Sequence, residues 1–233
     1  KTLALVRDGR RWYVVVTAEQ ATEPLEPTGR AVGVDVGIAR FLTTSDGEIV
    51  DNPRYLSASQ AELADLQQRY AATNRQSKNL RRAIGKLHRK IRHQRLDFHH
   101  QTARRLVDNY DAVAVEDLNV RGMSKRAAPK SNPDSPGQFL PNGGSAKSGL
   151  NRSIADVGWA QFTAILRAKA ERAERVVIGV NPAHTSIRCH ACQTVCVRPK
   201  QSTVVCPEHG SIDADLNGAI NILGRGMASR DAA

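Results

Sequence analysis

Aromatic residues make up only 4% of this 233-residue chain, too few for extensive stacking of nucleic-acid bases along its surface. It has four cysteines, all between residues 189 and 206. That crowding excludes a disulfide framework and points to metal binding in a reducing compartment. No apolar run approaches the length of a membrane span, and the first residues do not read as a signal peptide. Acid is scarce where base is plentiful: residues 69–105 hold twelve Lys and Arg but one acid, Asp97. That excess equals the formal net charge of the whole chain, +11, so the remainder is neutral. A localised charge of this size calls for a polyanionic partner.

Along the chain, residues 3–6 and 11–17 read as two strands joined by the Asp8-Gly9 turn. A lone hairpin is marginal, so residues 1–29 are expected to be the end of an N-terminal β-rich domain plus a linker at 23–29 carrying Pro24 and Pro27. Residues 30–35, 41–44 and 48–50 read as a β-meander, turning at Asp46-Gly47. Between residues 57 and 109 there is no proline and one glycine, Gly85; apolar residues at helical spacing (Leu63, Leu66, Ile84, Leu87, Ile91) predict one or two long helices with a basic face. A buried strand at 112–115 leads to a stretch at 121–150 rich in Ser, Pro, Gly and Asn, expected to be a mobile loop. Residues 153–174 read as a helix, 175–181 as a second buried strand and 215–223 as a final helix. This order predicts an α/β fold of RNase H type, split over 30–183 and 211–233, with an inserted metal module at 184–210.

Three acidic segments fit that fold. Asp35 in Gly33-Val-Asp-Val-Gly37 and Glu116 in Val115-Glu-Asp-Leu-Asn119 each end a β-prone run, and Asp215 opens the last helix. Carboxylates at strand ends, aimed at one point, are what a two-metal phosphodiester site requires, with Mg²⁺ or Mn²⁺ as the hard cations. Any one of them alone reads equally well as a strand-end or cap acid. At the third segment Asp213 competes with Asp215; Asp213 suits a helix N-cap, which favours Asp215 for the site. Gly37 would spare the ions a nearby Cβ. Cys189-x-x-Cys192 and Cys206-x-x-His209 give paired ligands for a closed, structural zinc site, with Cys196 or His190 as alternative fourth ligands. Arg81, Arg82, Arg89, Lys90, Arg92 and Arg95 are the expected phosphate contacts on the basic helix; His88, His93, His99 and His100 read as polar helix residues.

The chain resembles TnpB-type insertion-sequence proteins, relatives of the type V CRISPR effectors. The resemblance is carried by the two acidic segments above, by Lys86-Leu-His-Arg-Lys-Ile-Arg92 with Asp97-Phe-His-His100, by Thr185-Ser with Cys189-x-x-Cys192, and by Asp213-Ala-Asp-Leu-Asn-Gly-Ala-Ile-Asn-Ile222. It implies a RuvC-like nuclease domain acting on DNA under a guide RNA, in the cytoplasm of a bacterium or archaeon, as monomer or homodimer. It places the catalytic acids at Asp35, Glu116 and Asp215 and zinc ligands at Cys189, Cys192 and Cys206. Two departures stand out. His209 replaces the family's usual fourth Cys, and the family's recognition and wedge domains correspond at most to residues 1–22, so guided cleavage is expected to need further N-terminal sequence. A nuclease-inactive, nucleic-acid-binding relative and a transposase proper are the competing readings.

Overall fold

The computed structural model describes residues 2–232 except Gln20, Glu23 and Pro136; Glu23, the first residue of the expected linker, therefore lies outside it. In chain order the elements are β1 (Thr2–Asp8), β2 (Arg11–Thr17), β3 (Ala31–Val36), β4 (Arg40–Thr44), β5 (Ile49–Asp51), α1 (Tyr55–Ala58), α2 (Gln60–Ala72) and α3 (Lys78–Asn109). They continue with β6 (Ala112–Glu116), α4 (Val120–Met123), β7 (Lys130–Ser131), β8 (Phe139–Leu140), α5 (Gly144–Val157), α6 (Trp159–Arg172) and β9 (Val176–Val180). The last are β10 (Val197–Lys200), β11 (Thr203–Cys206), β12 (Gly210–Asp213) and α7 (Ala214–Asp231). None of the described helices is long and apolar enough to cross a membrane.

The central sheet has the order β5-β4-β3-β6-β9; β3, β4 and β5 form an antiparallel meander, and β6 and β9 run parallel to β3. Alternate residues of the inner strands serve opposite faces, as pleating requires. Val32, Val34, Val113 and Val115 join Leu106, Val107, Phe162 and Leu166 from α3 and α6 in the main core. Ala114 and Val180 instead pack on Ile222 of α7. The α7 side is tight: a Cβ on Gly33 would lie 2.1 Å from the Ala219 carbonyl oxygen, and one on Gly226 would meet the Ala114 methyl at 2.6 Å. Glycine at these positions lets α7 lie directly on β3 and β6.

Several expectations need correction. The stretch at 121–150 is not structureless, since it holds α4, the β7–β8 pair and the first turns of α5. The opening of α5, Gly144-Ser-Ala-Lys-Ser-Gly149, is largely solvent-exposed and buries only Ile154 and Val157, so periodicity cannot reveal it. The helix expected from residue 153 is two helices, broken at Gly158 with φ 70°. The long basic segment, expected as one or two helices, is two, α2 and α3, parted after Ala72 where Asn74 and Arg75 take positive φ. The final helix runs to Asp231, well past residue 223.

His99, expected to be a polar helix residue, is fully buried. Its ring stacks on Phe41, meets Phe162 edge-on, and joins the Val157 carbonyl through Nε2 at 2.9 Å. Burial, with Arg95 and His100 adding like charge, pushes its pKa down to about 4, although the hydrogen bonds to Val157 and Gln161 act the other way. An unfolded histidine titrates near 6.5, so the unfolded chain binds the extra proton first. This contribution to stability is therefore complete above about pH 6.5 and is lost as pH falls towards 4, a change of about 3 kcal/mol. Urea unfolding of the wild type and of His99→Gln across that window should show the wild type losing stability relative to the variant. Parallel pH profiles would contradict the assignment.

Candidate active site and metal centre

Register brings the first two acids together. Gly33 lies opposite Ala114 and Val34 opposite Val115 on parallel neighbours, so Asp35 and Glu116 continue adjacent rows at the ends of β3 and β6. Counting by two from Gly33 and Ala114 places both carboxylates on the α7 face. The third acid arrives on α7, whose first turn crosses the same strand end. Gly218 of that helix is pressed on Asp35, because a Cβ there would lie 2.8 Å from Asp35 Oδ2. Asp35, Glu116 and Asp215 thus line one cleft of about 290 Å³, with Arg40, Thr43, Thr185 and Arg198 among the other walls. Gly37 also lines it, but its glycine is required by the β3–β4 turn: a Cβ would approach the Arg40 carbonyl oxygen to 2.9 Å.

The two acids of the third segment take different roles. Asp213 caps α7, its Oδ1 accepting from the Asp215 amide at 3.0 Å and the Leu216 amide at 3.1 Å. Arg40 Nη1 sits 2.9 Å from Asp213 Oδ2 and 3.4 Å from Asp215 Oδ2. Burial would raise the Asp213 pKa, yet the Leu216 amide and Arg40 hold it below the usual carboxylate range. Asp215 shifts the other way, raised by burial and by Asp213. Burial also raises Glu116, whose Oε1 accepts from the Thr185 hydroxyl. Asp35 is pushed up to about 8, by burial first and then by the neighbouring charges of Glu116 and Asp215. Such crowded, desolvated carboxylates are short of positive charge, and their hard oxygens suit Mg²⁺ or Mn²⁺.

The Cys/His segment forms a separate small sheet, β10-β11-β12, beginning with a Cys189–Cys192 knuckle and turning through Cys206–His209. It extends past residue 210, because β12 runs to Asp213 and feeds α7 directly. The ligand atoms of Cys189, Cys192, Cys206 and His209 all lie within 4.8 Å of one another. Cys192 Sγ is 3.5 Å from Cys206 Sγ, and His209 Nδ1 is 3.5 Å from Cys189 Sγ and 3.6 Å from Cys206 Sγ. Zinc bond lengths of about 2.0–2.3 Å give tetrahedron edges of about 3.5–3.8 Å, so the donor set fits zinc. Of the alternatives, His190 Nδ1 lies 3.1 Å from Asn217 Oδ1, and Cys196 packs against Cys189 and Cys206 but stands outside the four-ligand group, its Sγ 3.7 Å from the Thr194 carbonyl.

The basic surface is two-sided. The β1–β2 turn faces the start of α3 across a cleft of about 650 Å³ lined by Arg7, Arg10, Arg81, Arg82, Lys86 and Arg89. Asp8 ties the walls together, 2.8 Å from Arg92 and 3.8 Å from Arg89. Lys90 is exposed outside this cleft. Arg95 differs from the other expected contacts in being tied to the protein's own backbone. Its Nη1 donates to the Ala155 and Asp156 carbonyls at 3.1 and 3.2 Å, satisfying the end of α5.

Sequence reading missed four supporting residues. Thr185 holds Glu116, and the charge of Arg198 on β10 offsets a small part of the rise in the pKa of Asp35 and of Asp215. Asn217, with no exposed surface, accepts from the His190 amide at 2.8 Å and donates to the Arg188 carbonyl at 2.7 Å. Asn221 donates to the Thr185 and Arg188 carbonyls at 2.9 and 2.8 Å. The i, i+4 spacing of the asparagines was a usable signal for one shared helix face; Arg198 carried none beyond its charge.

Residues 13–127 match the sequence family described as "Probable transposase", and residues 159–222 match "Cas12f1-like, TNB domain". The chain is 34% identical over 235 residues to the "Putative RNA-guided DNA endonuclease InsQ" of Escherichia coli (strain K12), an alignment covering 98% of this chain and 57% of that protein. The chain belongs to the TnpB-type family. A "Putative RNA-guided DNA endonuclease" of Streptomyces pristinaespiralis is 31% identical, with 98% of the TnpB-type chain and 53% of that protein covered. The chain thus spans a little over half the length of these two curated relatives. "TnpB-like protein L79" of Acanthamoeba polyphaga mimivirus is 23% identical over 97% of the chain and 43% of its own length. Among solved structures, a Cas12f1-sgRNA-target DNA complex superposes with a TM-score of 0.56 at 15% identity, covering 95% of this chain and 55% of that one. That likeness establishes a shared mixed α/β fold.

Proposed function

We propose that this TnpB-type chain is the nuclease portion of an RNA-guided DNA endonuclease of a mobile element, built on an RNase H-like, RuvC-type sheet. The observation that carries the reading is the convergence of Asp35, Glu116 and Asp215 in one cleft. The strand order, an antiparallel meander continued by two parallel strands, supports the fold assignment. Two Mg²⁺ or Mn²⁺ ions held by these carboxylates would supply an activated water and charge neutralisation at the leaving oxygen. The chain's own residues do the rest. Thr185 fixes Glu116, Asp213 and Arg40 set the start of α7 and with it Asp215, and Arg198 offers a guanidinium to a phosphate placed over the acids. Zinc at Cys189, Cys192, Cys206 and His209 would be structural, because protein fills all four positions. Residues 1–29 are read as the edge of a neighbouring β-rich domain: both faces of the β1–β2 hairpin are exposed, including Leu3 at 72% and Trp12 at 60%.

DNA and a guide RNA are the proposed partners, by analogy with the RNA-guided relatives. The cationic cleft beside α3 would grip a phosphate backbone without reading sequence. If its six cations neutralise six phosphates, the log–log salt slope is about −5 and affinity falls about 10³-fold between 50 and 200 mM salt. Titration of labelled DNA and RNA at several salt concentrations tests this, and a nearly flat dependence would remove the cleft from the binding surface. The nuclease reading itself is tested by guided cleavage in Mg²⁺, by the chain joined to the further N-terminal sequence that guidance is expected to need, against the same reaction in chelator. Cutting that survives chelation would refute it.

A further inference from the structure

A second cleft, also of about 290 Å³, adjoins the first. The two share three wall residues, Val36, Glu116 and Trp159. Their characters differ. The first is walled by acids and arginines, whereas the second, though Glu116, Asp117 and Arg167 also border it, is lined mainly by Val36, Val115, Leu118, Val120 and Trp159, with Ala160 and Ala164 from α6. Its size is at the lower end for small-ligand clefts, about 300 Å³.

Trp159 is 5% exposed, and its indole Nε1, without a hydrogen-bond partner among the described residues, is itself shielded from solvent, so the ring offers the cleft apolar surface. Arg167 lines the same cleft, with its Nη2 3.3 Å from the position a Cβ would take on Gly179. It is exposed and forms no ion pair or hydrogen bond with the other described residues. An apolar floor and a guanidinium without a partner among the described residues, beside the proposed phosphodiester site, match the base and a phosphate of one nucleotide.

We propose that this second cleft seats the nucleoside adjoining the scissile phosphate, its base against the apolar floor and Trp159, and that Arg167 takes the next phosphate of the strand. The placement rests on the nuclease reading of the carboxylates; the cleft's preference for a base does not. Strand-end acids and pocket together would fix the register of the substrate strand through any base, since every base has an apolar face.

The chain has two tryptophans, and Trp12 is exposed on the β1–β2 hairpin, so Trp12→Phe leaves Trp159 as the single indole reporter. In Ca²⁺ buffer, a single-stranded DNA hexamer should alter Trp159 emission. A hexamer of abasic deoxyribose phosphate should bind about tenfold more weakly and leave the emission unchanged. Filling the cleft with Ala164→Leu, or with Ala160→Leu if the first does not fold, should bring the DNA hexamer down to the abasic affinity. Arg167→Gln should weaken both probes. Equal emission changes with both hexamers, or a response indifferent to both fillers, would overturn the proposal. Failure of the nuclease reading would show separately, as retained cleavage in Asp35→Ala, and would leave this binding readout unaltered.

Discussion

With the further N-terminal sequence that guidance is expected to need joined to the chain, Asp35→Ala, Glu116→Ala and Asp215→Ala should each reduce guided cleavage by at least about 10³-fold while leaving nucleic-acid affinity within about a factor of three, because losing a shared metal ligand removes several kcal/mol of transition-state stabilisation. The phosphate-gripping cations lie on α3 and the β1–β2 turn, away from the acids. Stability separates this outcome from simple misfolding. The pKa of Asp35 is pushed up to about 8 in the folded chain, far above the usual carboxylate range. At neutral pH in the absence of divalent ions its ionisation therefore opposes folding, and the penalty lessens as pH falls. Asp35→Ala should then be no less stable than the wild type at pH 7. Asp213→Ala should behave in the opposite way, losing about 1–2 kcal/mol with the N-cap and keeping part of the activity. Thermal unfolding and single-turnover cleavage of the four variants decide the matter. Equal residual activity in Asp213→Ala and Asp215→Ala would show that the third acid has been misassigned.

Loss of the zinc ligands should be as damaging to activity by a different route. Elemental analysis should find one zinc per chain. Cys192→Ala or prolonged chelation should unfold the small sheet, because metal binding at a closed structural site is folding free energy, on the order of 10 kcal/mol in isolated zinc modules. The module is not an appendage. β12 passes directly into α7, and Asn217 and Asn221 fasten the Cys189 knuckle to that helix. Unfolding it should release Asp215 and remove Arg198 from the cleft, so cleavage fails without any change in the carboxylates. Hydrogen exchange should show protection lost across 185–216 before the central sheet opens. A zinc-free protein with full activity and unaltered exchange would contradict this coupling.

The site was legible where chemistry leaves short-range marks. Asp35 and Glu116 follow runs of β-prone residues, and the Cys-x-x-Cys and Cys-x-x-His pairs declare a metal at their spacing. Asp213-Ala-Asp215 contained a choice that an N-cap argument narrows, and the cap is seen in the structure. What the sequence did not display depends on distant partners. Arg95 looked like its basic neighbours, but only the fold brings the end of α5 under it. His99 sits on a strongly basic helix and became core because Phe41 and Phe162, from remote segments, close around it. The helical nature of 144–157 was hidden by serines and glycines whose side chains bury nothing. The two-walled cationic cleft required the β1–β2 turn to fold back on α3, a contact fixed by Asp8 and invisible to any count of charge along α3.

The central claim is that Asp35, Glu116 and Asp215 hold the divalent cations of a phosphodiester-cleaving site. Crystals of the protein grown with Mn²⁺ and measured at the manganese absorption edge test it most directly. Two anomalous peaks about 3.5–4 Å apart, each bonded to at least one of the three carboxylates, are the predicted result. Manganese absent from this cleft, or held there without Asp35, would contradict it.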